Sequence, residues 1–332
     1  MTSSSSPPSA PRTKALLFDI GGVVVLSPLA AISAYEQSLN LPAGYINSAI
    51  AAAAPNGAFQ RLERGEMWLD DAFFAQFARD VRNEGVWARM VVAKRSKSKE
   101  ATKEGGGTEE LYEEFEKATQ RIDVKALFWT MMRAARHPDP HVFPAVQALV
   151  ALGRARSTAA PSAAERNDAF VVGALSNAVV FPEGVRDERG ELFDAGVVLG
   201  RPESGATATA TCSSGGGGAS AAIPPLFDTF LHSAHLGLRK PDPRVYALAL
   251  ERLTLVARQR GIIGQSESLR PEEVLFLDDI GANLKVAREC GLRTCKVEIG
   301  RTEEAVRVLE GAVGVERGAL VGPAGGGRGA KL

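Results

Sequence analysis

Cysteine and histidine are scarce in this chain of 332 residues, with three of the first and four of the second. Cys212, Cys290 and Cys295 are odd in number and match no metal-ligand spacing. Neither a disulfide framework nor a thiolate metal site is expected, and free thiols point to a reducing compartment. Cys290 falls in a helix-like segment and Cys295 in a strand-like run, where both read as core fillers. Net charge is also missing: 39 basic residues balance 39 acidic ones, which gives no electrostatic reason to expect nucleic acid or a membrane surface as partner. No apolar run reaches the ~18 to 20 residues of a membrane span. The Ser- and Pro-rich opening MTSSSSPPSAPRT lacks the apolar centre of a signal peptide and reads as a disordered tail, residues 1–13. What is present is an ordinary 45% of apolar residues, in a length that accommodates two domains.

The apolar residues are organised in two ways. KALLFDIGGVVV begins with a strand-like run, and later FVVGALS, FDTFLHS, VLFLDD and RTCKVEI alternate with helix-like PHVFPAVQALVALG, PRVYALALERLTLVA and ANLKVARECG, the last ended by Gly291. That alternation predicts an α/β fold with a parallel sheet covered by helices on both faces. Between the first strand and the rest, Leu29 to Arg136 has helical spacing in AISAYEQSL, WLDDAFFAQFARDV and VKALFWTMMRAA, and carries Trp68, Trp87 and Trp129. Three stretches of low complexity, residues 93–107, 154–168 and 203–222, read as flexible insertions, the first with a basic run read as a solvated loop.

Candidate chemistry sits at strand ends, where open α/β sheets bind ligands. Asp19 closes the first strand, and Asp278 and Asp279 close VLFLDD; Ser176 and Asn177 close the second strand, and Lys240 lies in HLGLRKPDP. Three carboxylates form an oxygen-rich set suited to a hard cation such as Mg²⁺. Lys240 adds a fixed positive charge, and Ser176 with Asn177 adds hydroxyl, amide and backbone donors. Such a set matches the spread charge of a phosphoryl group in transfer, with Asp19 as nucleophile and an aspartyl-phosphate intermediate. Each piece alone has a plainer reading: Asp before Gly-Gly as a turn, Asp278 and Asp279 as a helix cap, Lys240 as a surface residue. His232 and His235 bracket the mouth of such a site and read as structural or exposed.

In order, Asp, Ser, Lys and Asp-Asp form a four-part signature that resembles the haloacid dehalogenase superfamily. FDIGGVVVLSP, FQRLERGE, LRKPDPRVY and FLDDIGANLKVARECGL further resemble the phosphatase-like N-terminal domain of soluble epoxide hydrolases and of acyl-CoA dehydrogenase fusion proteins. The resemblance implies a Rossmann-like α/β core over 14–28 and 137–312, an inserted all-helical cap over 29–136 that closes over the site and selects substrates, and a flexible tail over 313–332. It implies Mg²⁺ held by Asp19, Asp278, Asp279 and the carbonyl of Gly21, supported by Gly22 and Asn283, and a small phosphorylated substrate held by Ser176, Asn177 and Lys240. One departure stands out: Gly21 occupies the place where phosphatases of the superfamily carry the acid/base Asp. General acid-base catalysis supplies ~10²- to 10⁴-fold, so its loss should fall hardest on poor leaving groups. The competing readings are therefore an Mg²⁺-dependent phosphatase of a small phosphorylated metabolite or lipid and a phospho-ligand or partner-binding protein that has lost turnover. A dehalogenase would use Asp19 without a metal, and the Asp278–Asp279 pair weighs against it. The chain is too short to add an epoxide hydrolase or acyl-CoA dehydrogenase domain, so that chemistry is not expected. The ending Ala330, Lys331, Leu332 is a close variant of the Ser-Lys-Leu peroxisomal address and predicts recognition by the import receptor, against the alternative of a cytoplasmic protein.

Overall fold

A computed structural model describes residues 11–97, 108–158, 168–199 and 219–320. Its centre is a five-stranded sheet of β1 (Ala15–Phe18), β2 (Val171–Ser176), β5 (Thr229–His232), β6 (Val274–Asp278) and β7 (Arg293–Lys296), in the order β5-β2-β1-β6-β7. All four pairings are parallel. β1, β2 and β6 are buried along their whole length, as expected of apolar runs covered on both faces. Successive side chains on β1 serve opposite layers. Leu16 and Phe18 pack towards Val146, Leu149 and Leu309, from α8 (Val142–Thr158) and α12 (Glu303–Val313). Ala15 and Leu17 pack towards Tyr246, Leu253 and Leu284, from α10 (Pro243–Gln259) and α11 (Gly281–Glu289).

Seven helices follow β1: α1 (Pro28–Ser38), α2 (Tyr45–Ala52), α3 (Ala58–Glu63), α4 (Asp71–Val81), α5 (Glu84–Lys97), α6 (Thr108–Thr119) and α7 (Val124–Ala134). They form the inserted helical cap, with a core of its own. Aromatic residues are only 6% of the chain, yet Phe73, Phe77, Phe128, Trp87 and Trp129 all meet in this cluster. The Phe73 and Phe128 rings lie edge to face at 5.4 Å, a geometry that favours aromatic pairs beyond their burial. Trp68, by contrast, is 79% exposed. A one-turn helix, α9 (Ser233–Leu236), links β5 to the Lys240 loop.

Several expected boundaries differ. Residues 93–97 continue α5, because Ala93, Lys94, Arg95 and Lys97 are good helix formers, and residues 98–107 lie outside the described part. Residues 154–158 likewise extend α8, with 159–167 undescribed. At the end of the third stretch β4 (Ala219–Ala221) pairs antiparallel with β3 (Val197–Leu199), so 219–221 is a strand rather than an insertion. Residues 11–13 are anchored: Arg293 donates to the Pro11 carbonyl and to Thr13 Oγ1. Residues 313–320 fold back onto the core, with Leu320 buried and the Glu310 carboxylate accepting from the backbone N–H groups of Gly318 and Leu320. Residues 321–332, including Ala330 to Leu332, and residues 1–10 and 200–218, including Cys212, lie outside the described part. The expected core range 137–312 includes the segment 178–196. Its Val179, Phe181, Val185 and Phe193 instead pack against the cap cluster, because Phe181 and Phe193 seat their rings on Trp129.

Candidate active site

Parallel register brings the strand ends together. Phe18 is level with Ala174 on β2 and with Leu277 on β6, so Asp19 emerges between Ser176 and the Asp278–Asp279 pair. The Asp19 N–H closes the ladder on the Leu277 carbonyl at 2.9 Å. Asp19 and Asp278 are buried, Asp279 partly so, and ligand oxygens of the three lie within 4.8 Å of one another. Lys240, fully buried, places Nζ 2.8 Å from Asp19 Oδ1 and 2.8 Å from Asp278 Oδ2.

The supporting bonds fix these positions. Asp278 Oδ1 accepts from the Ile280 N–H at 2.7 Å, and Asn283 Nδ2 lies 3.1 Å from both Asp278 oxygens. Tyr246 in turn donates its hydroxyl to the Asn283 carbonyl. The side-chain amide of Asn177, expected to face a ligand, is instead engaged by the chain itself. Its Oδ1 accepts from the Lys240 N–H at 2.8 Å and its Nδ2 donates to the Lys240 carbonyl at 3.0 Å. The amide therefore clamps the lysine backbone and leaves chiefly the Asn177 backbone N–H for a ligand. The Ser176 side chain lies at the cavity wall and makes no hydrogen bond to the described residues.

The electrostatics are those of a carboxylate cluster short of positive charge. Three carboxylates face one ammonium. Burial pushes Asp19 well above the usual carboxylate range, Lys240 pulls it back, and Asp278 and Asp279 add to the rise. Asp279 is pushed up to about 6, by burial first and by Asp278 next. Burial opposes the charged form of Lys240, but Asp19 and Asp278 together outweigh it and hold the ammonium above its ordinary range. Asp279 Oδ1 is buried with no hydrogen-bond partner. A divalent cation answers each feature: it balances the two surplus negative charges, partners the orphaned oxygen and suits an all-oxygen donor set. The residues fit such an ion.

The two glycines after Asp19 differ sharply. A Cβ on Gly22, whose φ is +81°, would lie 2.3 Å from Asp279 Oδ2, so the carboxylate rests against bare backbone. A Cβ on Gly21 would meet only Pro28, at 3.6 Å. Gly21 therefore leaves an acid/base side chain absent without excluding one sterically.

Above these residues lies a cavity of about 730 Å³, lined by the core site and by the cap. Leu29, Ile32, Ile50, Phe59, Met131 and Phe181 give it apolar walls. His232 also lines it and stacks on the exposed His235 with ring centroids 4.6 Å apart; burial first, and His235 next, lower His232 to about 4. Two further residues of the site carry no signal in the sequence. Glu63 of FQRLERGE and Arg239 of LRKPDPRVY form a 2.8 Å ion pair between α3 and the Lys240 loop, and both line the cavity. A buried, wall-lining carboxylate in a short helix leaves no periodic signal of its own.

No protein-family model matches the chain. Among curated proteins, acyl-CoA dehydrogenase family member 10 of Mus musculus is 43% identical over 88 residues, which are 26% of this chain and 7% of that protein. Bifunctional epoxide hydrolase 2 of Sus scrofa is 37% identical over 92 residues, 28% of this chain and 14% of that protein. The alignments thus span a small part of these relatives. Among solved structures, the enzyme bt-2542 of the HAD family from Bacteroides thetaiotaomicron superposes with a TM-score of 0.39 at 16% identity, covering 89% of this chain and 98% of that one. A dehalogenase with an intermediate complex gives 0.41 at 14% identity, covering 86% and 85%. The four signature segments meet at one edge of a parallel sheet beneath an inserted helical cap, and similarity to the two curated relatives accompanies them: the chain has a haloacid dehalogenase-like hydrolase fold and resembles that superfamily.

Proposed function

We propose that the protein is an Mg²⁺-dependent phosphatase of small phosphorylated molecules with an apolar body. The observation that carries this reading is Lys240 bridging Asp19 and Asp278 at 2.8 Å each, within a trio of carboxylates of which Asp19 and Asp279 line the cavity. Asp19, Asp278, Asp279 and the Gly21 carbonyl would hold the cation, which supplies charge neutralisation to the phosphoryl oxygens. Lys240 orients the Asp19 carboxylate and, together with a bound cation, would favour its ionised form for attack on phosphorus. Ser176 Oγ and the backbone N–H groups after β2 offer donors to the phosphoryl oxygens. The apolar walls take the ester's body and exclude water from it.

Release of p-nitrophenol from p-nitrophenyl phosphate, with and without Mg²⁺, tests the reading, because that leaving group needs little protonation. Metal-dependent release by the native chain and none by a folded Asp19→Asn variant is the expected result. A fully active Asp19→Asn protein sinks it. The absence of a carboxylate at Gly21 favours a second reading, a phospho-ligand binder without turnover. Tight phosphate binding with no release of p-nitrophenol is its signature.

A further inference from the structure

A phosphatase with glycine at position 21 has no proton donor there for the departing oxygen, and the cavity contains another group suited to that oxygen. Arg239 immediately precedes Lys240, whose Nζ is 2.8 Å from Asp19 Oδ1, so the guanidinium springs from the same turn as the residue that orients the nucleophile. Arg239 lines the cavity together with Asp19, Gly21 and Ser176. Its Nε donates to Glu63 Oε2 at 2.8 Å, while its two terminal amino groups make no hydrogen bond to the described residues. Glu63 closes α3 of the cap, so the pair holds the guanidinium on the cap side of the site. In-line attack by Asp19 sends the leaving group to that side, because the ester's body occupies the cap-lined cavity.

The ion pair is held by more than its own attraction. Ser233 Oγ donates to the Glu63 carbonyl and accepts from the Ala178 N–H, which ties α3 to the segment after β2. A Cβ on Gly65, at φ +69°, would lie 2.5 Å from the Ala234 carbonyl oxygen, so cap and core backbones touch there. Arg239 thus has a fixed fork with two unspent amino groups.

We propose that Arg239 is a further catalytic residue, positioned by Glu63, that stabilises the leaving oxygen in place of the acid missing at Gly21. The inference rests on the phosphatase reading. Asp19 forms its bond to phosphorus as the ester P–O bond breaks, and the electron pair leaves on the alkoxide oxygen, to which Arg239 donates hydrogen bonds. A guanidinium stays protonated, so the alkoxide takes its proton from water. The hydroxide so formed attacks the aspartyl phosphate, returns Asp19 as carboxylate and releases hydrogen phosphate.

The test compares p-nitrophenyl phosphate with simple alkyl phosphates in the native chain, in Glu63→Gln/Arg239→Gln, and in that double variant with Gly21→Asp added. The double variant leaves no unpaired buried charge, and circular dichroism verifies its fold. Loss of one oxyanion donor costs ~10²- to 10³-fold in kcat. That loss is expected for alkyl esters, with less than about tenfold for p-nitrophenyl phosphate. Gly21→Asp should restore the alkyl esters selectively. An equal loss for every ester, or no loss, overturns the role of Arg239 and leaves the phosphatase reading standing. No metal-dependent turnover of p-nitrophenyl phosphate by the native chain removes that reading and this inference together.

Discussion

Gly21 and Gly22 are neighbours with the same side chain, and the structure predicts opposite outcomes for the same substitution. In Gly22→Ala the new Cβ lies 2.3 Å from Asp279 Oδ2, whereas real Cβ contacts essentially never fall below 3.0 Å, so the carboxylate must retreat by at least 0.7 Å. The φ of +81° adds a backbone cost of ~1–2 kcal/mol for an L residue. Displacement of a reacting or ligand group by about 1 Å costs ~10²-fold in rate. In Gly21→Ala the Cβ meets Pro28 at an ordinary 3.6 Å and no positive φ is required. A compatible Gly→Ala change stabilises by ~0.4–1 kcal/mol through the unfolded chain. Urea denaturation together with kcat/KM for p-nitrophenyl phosphate across an Mg²⁺ titration separates the two. Gly22→Ala should be less stable, need more Mg²⁺ and turn over ~10²-fold more slowly, while Gly21→Ala should match or exceed native stability. A Gly22→Ala protein with native stability and native Mg²⁺ dependence would refute the idea that bare backbone cradles Asp279.

Lys240→Met removes the ammonium shared by two buried carboxylates, and breaking a buried ion pair on one side costs ~3–5 kcal/mol; thermal denaturation in EDTA should show that loss, with turnover abolished. The raised Asp279 predicts a pH signature in metal-free protein. Its folded value of about 6 lies above the ordinary 3.8, so its contribution is fully present below the ordinary value and is lost as pH rises through 6, by roughly 3 kcal/mol at most. Melting temperature in EDTA should therefore fall between pH 4 and pH 6 from this group, and Mg²⁺ at pH 7 should recover it; a melting temperature indifferent to Mg²⁺ contradicts the reasoning. Leu320→Ala should cost ~2 kcal/mol if the stretch after α12 is part of the core, and a change within measurement error would show that it is not.

The α/β core was legible because β1, β2 and β6 are short apolar runs with carboxylates or hydroxyls at their ends, and both signals are local. The cap's helices were legible for the same reason, through spacing such as that of Phe73, Phe74, Phe77 and Val81 along one face of α4. Composition misled at the segment edges. Residues 93–97 are Lys- and Arg-rich, which looks like a loop by charge, yet those residue types are good helix formers and α5 runs through them. Residues 313–320 contain two glycines and no periodic apolar pattern, and only the docking of Leu320 and the Glu310 carboxylate shows why they stay folded.

The candidate site divides along the same line. Asp19, Lys240, Asp278 and Asp279 converge because each stands at or beside a strand end of one parallel sheet, and parallel topology aligns such ends without further instruction. The clamp that the Asn177 amide makes on the Lys240 backbone is not legible, since a side-chain amide that meets a backbone turn far along the sequence leaves no local trace. Glu63 and Arg239 went unassigned for a related reason. Their pairing spans the cap and the core, and neither segment alone says that the other will face it. On the proposed reading, residues that bind the reacting group are thus fixed by the sheet, whereas those proposed to govern the leaving group's departure are fixed by where the cap comes to rest. In this protein those two determinants meet at adjacent positions, Lys240 turned down to Asp19 and Arg239 turned up to Glu63. A substitution in the cap at Glu63 should accordingly alter leaving-group dependence while the bridge from Lys240 to Asp19 and Asp278 stays intact.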